Sequence, residues 1–382
     1  MKENIIYFSS DEWGGTLKTS QYHIALRLSR QNRVLYINSI GLRRPNVSRR
    51  DAIKIKNKLK SWFQGIQQID ENLSVITPIV LPFHNLKVIQ KINRLLLIGF
   101  IKYCQVRLNL KNPIIFTFMP NVVTVIKEFK EKKVVYYCAD QMSSFKGVAE
   151  KTVRQMEDKL LELSDVVFTT SKKLYQEKSA KNRHTLYMPH GVDFDLFNNA
   201  VNGDMSVPED IVRMTGPVLG FFGLISKDWI DFDLLLYLAR KHPEWTLLMI
   251  GKIDEPIPSE VWKMDNIHLI GPRRYENLPA YLKKFDVALI PFVQSELTRH
   301  CNPIKVKEYL AAGKPVVSVD LYELNDLKDV VEVASSHQEF EMCIQNVLKN
   351  DSEKLVKRRI EKVRHQTWDD RFEKIFEILS SD

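Results

Sequence analysis

Short apolar runs alternate with segments of helical spacing along the whole chain. Residues 4–8 (NIIYF), 34–38 (VLYIN), 73–78, 114–118, 134–138 and 166–169 predict buried strands. Between them, 22–28 and 153–163 carry apolar residues at helical spacing. The pattern then restarts, with strands expected at 218–222, 246–250, 268–270, 287–291 and 316–319 and helices at 231–241, 278–285 and 303–312. Strands alternating with helices predict βαβ units and parallel sheets, so the fold class is α/β, with two doubly wound domains in tandem. The polar stretch 198–217 is the expected linker. That gives an N-terminal domain over 1–200, a C-terminal domain over 214–366 and a terminal helix over 367–382. In that helix Trp368, Phe372, Ile375, Phe376 and Leu379 share one face.

Length agrees with this division, since 382 residues exceed the size at which one core keeps growing. Charge adds an asymmetry. Residues 1–200 carry 32 Lys and Arg against 17 Asp and Glu, a net of +15; the rest carry 24 against 30, a net of −6. A basic first half suits an anionic partner. Nucleic acid is set aside, because no zinc-finger, RNP-like or helix-turn-helix signature is present. A membrane surface, an anionic glycan or a lipid-linked acceptor fits better. Cys104, Cys138, Cys301 and Cys343 are widely spaced and form no metal-ligand pattern. With no signal peptide and no apolar run long enough to span a bilayer, they read as free thiols of a cytoplasmic protein.

Chemistry concentrates in 302–319, NPIKVKEYLAAGKPVVSV. Asn302 is expected as N-cap and Pro303 as the first helical residue, with Gly313 and Pro315 ending a helix of about ten residues. A strand follows, so the start of the helix faces a crevice of an α/β domain. Its backbone N–H groups and partial positive charge favour a diphosphate. Lys305 and Glu308 share one helical face, and a carboxylate there can accept from two adjacent ribose hydroxyls. The alternative is a surface pair on a capped helix.

The segment 303–317 resembles the nucleotide-binding segment of GT-B fold glycosyltransferases, of the family-4-like retaining kind. GPRRYENLPAYLKKFDVALIPF (271–292), PHGVDFDLF (189–197), GFFGLI (220–225) and DVVFTTS (165–171) resemble that family's motifs in the family's order. The resemblance implies two Rossmann-like domains facing a central cleft, with the terminal helix crossing back to the first. It implies a UDP- or GDP-sugar donor, bound through Gly223, Arg273, Arg274, Thr298, Pro303, Ile304, Lys305 and Glu308. DEWGGT (11–16) resembles the loop that approaches phosphate and acceptor, through Gly14 and Gly15. YCADQMSSFKG (137–147) resembles a block of one branch, with Asp140 at a strand's C-terminal end as the acidic residue of the first domain.

Two departures stand out. Many relatives carry two glutamates separated by seven residues, the second matching Glu308, yet His300 stands in place of the first. Lys227 is the one cation near the position where relatives place an arginine and a lysine to neutralise the leaving diphosphate. Catalytic roles are therefore expected of Asp140, Lys227 and His300. No metal and no cofactor is expected, because no DxD between apolar strands is in a position to hold Mg²⁺ on a diphosphate; Asp231-Phe232-Asp233 matches the letters but sits at a helix start. The expected activity is sugar transfer, with retention, to a glycan or lipid-linked acceptor in cell-surface polysaccharide biosynthesis. A nucleotide-sugar epimerase of the same architecture and a non-catalytic partner subunit remain the alternatives.

Residues 53–63 alternate lysine (Lys54, Lys56, Lys58, Lys60) with apolar residues before Trp62 and Phe63, and 87–108 combine an apolar face with basic residues. Such segments can lie in a membrane interface, which makes peripheral attachment to the inner face of the plasma membrane an expectation. For 87–108 a core helix with solvated lysines is the competing reading.

Overall fold

The computed structural model describes residues 2–15, 18–40, 61–79, 87–254 and 256–380. It divides into two compact units, Met1–Pro189 with Ile375–Asp382, and His190–Lys374. Lys54, Lys56, Lys58 and Lys60 lie outside the described residues.

In the first unit the strands are β1 (Asn4–Phe8), β2 (Arg33–Ile37), β3 (Gln67–Asp70), β4 (Leu73–Ile76), β5 (Ile114–Thr117), β6 (Lys133–Cys138), β7 (Val166–Thr169) and β8 (Thr185–Tyr187). Among the described residues they form one sheet in the order β3-β4-β2-β1-β5-β6-β7-β8, parallel except where β3 meets β4. Its central strands are apolar on both faces, as a sheet covered by helices requires. The core includes Ile6, Leu35, Ile115, Tyr136 and Val167.

The second unit holds β9 (Val218–Phe222), β10 (Thr246–Ile250), β11 (Ile267–Leu269), β12 (Val287–Ile290), β13 (Val316–Val319) and β14 (Val331–Ala334). They pair in the order β11-β10-β9-β12-β13-β14, all parallel. Strand order reverses between β9 and β12, and ligands of such sheets sit beyond the carboxyl ends at that reversal.

The units change over at Pro189, ahead of the expected boundary. Within 198–217, Asn198–Asn202 ends the helix Phe194–Asn202, and Ala200 and Ile211 are buried in the core of the second unit. Asn198 also ties that helix to the Ala311 carbonyl at 2.9 Å. The terminal helix Trp368–Ser380 contributes its first part to the second unit and its end, from Ile375, to the first, where the Leu379 carbonyl accepts from Lys133 Nζ at 3.4 Å.

Inside the second unit the 190–193 stretch is laced to the start of that helix. The Val192 N–H donates to the Gln366 carbonyl at 2.9 Å, and the Trp368 N–H donates to the Val192 carbonyl at 3.2 Å. A Cβ on Gly191 would stand 2.6 Å from the Trp368 nitrogen and 2.7 Å from the Thr367 oxygen, so no larger residue fits there. Among the described residues no helix is long and apolar enough to cross a membrane. The four cysteines are free thiols.

Candidate functional site

The loop after β9 and the helix Ile304–Ala311 meet at the strand-order reversal of the second unit. Gly223 follows β9 with φ of 148°, and its N–H donates to the Ile250 carbonyl at 2.8 Å. A Cβ at Gly223 would lie 2.2 Å from Lys305 Cε and 2.9 Å from its Nζ, so glycine leaves the space that the lysine tip occupies. The Lys305 ammonium also stands 5.7 Å from the Phe221 ring centroid.

The helix is two residues shorter than expected. Pro303 is itself the N-cap, with extended backbone, and Ile304 opens the helix. Proline has no N–H to waste there and cannot accept a hydrogen bond through its side chain. No side chain therefore caps this terminus. The positive end of the helix dipole, with no side chain capping it, favours an anionic ligand.

Glu308 lies one turn in and is 3% exposed. Its Oε1 accepts from the Tyr275 hydroxyl at 3.0 Å. Burial raises the carboxyl to about 7, while Lys305 and the Tyr275 hydrogen bond pull it down and Asp193 pushes it up. Next along the helix, the Tyr309 hydroxyl accepts from the Phe222 N–H at 3.0 Å and pins the end of β9 to the helix. One neighbourhood thus holds a cation, a buried carboxylate and an uncapped helix terminus, which can bind a diphosphate and a pair of hydroxyls.

The other residues singled out in the sequence are placed differently. Arg273 is already used as a brace. Its guanidinium donates to the Tyr281 hydroxyl at 2.7 Å, the Ile270 carbonyl at 2.6 Å and Asp210 Oδ2 at 2.7 Å. Arg274 is exposed beside Glu276 at 3.5 Å, and Lys227 is exposed in the turn after the glycine loop. Thr298 is buried and donates to the Val293 carbonyl at 2.6 Å, closing a capping box with Ser295. His300 is 1% exposed, with Nδ1 donating to the Glu296 carbonyl at 2.8 Å. Asp231 caps its own helix by accepting from the Leu234 N–H at 2.9 Å.

In the first unit, Asp140 follows β6, half-buried, and its carbonyl accepts from Cys138 Sγ at 3.7 Å. Gly14 has φ of 82°, and the Gly15 N–H closes a turn on the Glu12 carbonyl at 3.1 Å. Tyr275, Tyr309 and Asp193 were not singled out in the sequence. Each lies inside a quoted motif, so the signal was present but not separable from core aromatics and caps.

Residues 216–350 match the family model for glycosyl transferases group 1. A Bacillus subtilis protein provisionally named as the teichuronic acid biosynthesis glycosyltransferase TuaH is 28% identical over 205 residues. That alignment covers 50% of this chain and 51% of the relative, so the match spans about half of the curated relative's length. Sucrose-phosphate synthase from Thermosynechococcus elongatus superposes with a TM-score of 0.74 at 14% identity, covering 99% of this chain and 98% of the other. Anabaena HepE, in complex with UDP and glucose, gives 0.68 at 13% identity with full coverage of both. The chain therefore has the two-unit, parallel-sheet architecture of GT-B glycosyltransferase structures, and its second unit carries a glycosyl transferases group 1 segment.

Proposed function

We propose that the protein is a retaining glycosyltransferase that takes its sugar from a UDP- or GDP-sugar and delivers it to a glycan or lipid-linked acceptor in cell-surface polysaccharide synthesis. The observation that carries this reading is Glu308, buried one turn inside an uncapped helix terminus beside Lys305 and Gly223. In this reading the Glu308 carboxylate accepts from the ribose hydroxyls. The amides of Ile304 and Lys305, the Lys305 ammonium and the Gly223 loop hold the diphosphate. As the bond from the anomeric carbon to the diphosphate oxygen breaks, negative charge grows on the phosphate, where the helix dipole and lysine are most stabilising. The acceptor hydroxyl bonds to the anomeric carbon and passes its proton to the departing phosphate.

Asp140, at the carboxyl end of β6, is assigned to the acceptor side. Lys227 is exposed and can turn toward the phosphates, whereas His300 and Thr298 shape the loop before the helix. Likeness to the TuaH protein supports polysaccharide synthesis, and the UDP and glucose of the HepE structure support a nucleotide-sugar donor. Transfer needs no divalent metal in this reading. Asp231 and Asp233 open a helix, where they complement its dipole.

The test is calorimetric titration of UDP, GDP and their sugars into wild type and Glu308→Ala, in excess EDTA. Losing a charged acceptor should weaken binding by about 1.5–3 kcal/mol. Equal affinity in the two proteins removes Glu308 from the donor site. Binding and transfer that return only with Mn²⁺ would refute metal independence.

A further inference from the structure

We propose that the imidazole of His190 is a ligand for the donor's diphosphate and sets a preference for nucleoside diphosphates over monophosphates. This rests on the donor-site reading above. His190 is 6% exposed, and its buried Nδ1 has no hydrogen-bond partner. A buried polar atom without a partner is destabilising and uncommon, which points to a partner supplied by a ligand.

The groups whose charge bears on the ring are Lys307, Lys305 and Arg371, all basic. Lys307 donates to the backbone carbonyl of His190 itself, and Glu323 is the carboxylate that bears on Lys307. Lys305 is the same lysine whose tip fills the space over Gly223 and whose charge acts on Glu308. The imidazole therefore belongs to the neighbourhood of the helix terminus and faces a local excess of positive charge.

Burial, with those cations adding to it, pushes the imidazole down to about 3, so the ring is neutral. A neutral ring offers one N–H donor, and phosphate oxygens accept such bonds while offsetting the cations. A nucleoside diphosphate brings the second phosphoryl group that the positive excess can neutralise; a monophosphate does not. The ring is also held in place beforehand. Gly191 has no room for a side chain against Thr367 and Trp368, and the Trp368 ring centroid lies 5.9 Å from that of His190. Rigid support of this kind suits a binding group.

UDP, UMP, GDP and GMP titrated into the full chain decide the matter. Wild type should bind one diphosphate more tightly than its monophosphate. His190→Ala should weaken that diphosphate on the order of 10–100-fold and leave the monophosphate within about twofold. Glu308→Ala should weaken both nucleotides together, because it acts through the ribose. An unchanged diphosphate preference in folded His190→Ala overturns the inference and leaves the donor site standing. No nucleotide bound by wild type overturns both. Should His190→Ala not fold, ¹⁵N-labelled histidine in wild type replaces it. Saturating UDP or GDP should move the His190 ring resonances, and unmoved resonances overturn the inference.

Discussion

Glu308 ties the stability of the protein and its proposed ligand to pH in opposite directions. Burial favours the protonated carboxyl, whose value of about 7 lies above the ordinary carboxylate range. The native state then binds the proton more tightly than the unfolded chain, so this stability is full below that range and lost as pH rises through 7. Ribose hydroxyls, however, need the ionised acceptor. UDP or GDP affinity should therefore rise between pH 6 and pH 8, by up to about tenfold per unit on the acid side. Lys307, pushed down to about 7 by burial with Arg371 adding, loses its charge in the same window and works against the rise. Titrations at pH 6, 7 and 8 on wild type and Glu308→Gln separate the two, since the glutamine variant should retain only the lysine trend. A wild-type curve parallel to that of the variant would remove Glu308 from ligand binding. Lys305 and Glu308 were legible in the sequence because proline, helical spacing and a following strand placed them together. His190 was not, since its burial depends on Lys307 and Trp368, both more than 100 residues away. Arg273 shows the converse: a basic loop residue in the right motif whose donors Asp210 and Tyr281 already take.

The helix Lys87–Arg107 presents two apolar faces where a globular helix ordinarily presents one. Leu97, Ile98, Ile101 and Cys104 are buried in the first unit, while Val88, Leu95, Leu96, Tyr103 and Val106 are exposed, Val106 by 81%. Arg94 and Lys102 pair with Glu128. One side of this segment is thus a core helix, and the other is an exposed apolar stripe. We propose that the stripe rests in an anionic membrane interface near a lipid-linked acceptor. Replacing Leu95, Leu96 and Val106 by glutamine should lower cosedimentation with phosphatidylglycerol vesicles at least about tenfold, because three apolar side chains no longer leave water. Salt should weaken the electrostatic share, whose reach is about 8 Å at physiological ionic strength. Wild type that ignores such vesicles at low salt would end the membrane reading. Among the strands, the apolar runs of β1, β5, β9 and β12 were plain from sequence because both sheet faces are covered. β3, β8 and β14 were not, for a shared reason: each is an edge strand with partly exposed residues and lacks a continuous apolar run.

Each unit has its own core, the first around Ile6, Leu35 and Val167 and the second around Leu219, Leu247 and Leu289. Gly223, Lys305 and Glu308 all belong to His190–Lys374, so a nucleotide should stabilise that unit by mass action. Calorimetry should resolve two transitions, with UDP or GDP at about 100 times its Kd adding about 2.7 kcal/mol to one of them. A single transition would mean that the cores unfold together, and no shift at saturating nucleotide would contradict a donor site in the second unit. The terminal helix bears on how the molecule is made. Ile375 and Leu379, 0% and 6% exposed, belong to a unit otherwise finished by Pro189. At roughly 5–20 residues per second, the ribosome takes about ten to forty seconds to add the intervening residues. Throughout that interval the first unit has emerged without the side chains that complete its packing. The half of the chain made first is thus the half completed last, and its unfinished apolar surface is what a chaperone would meet on the nascent protein.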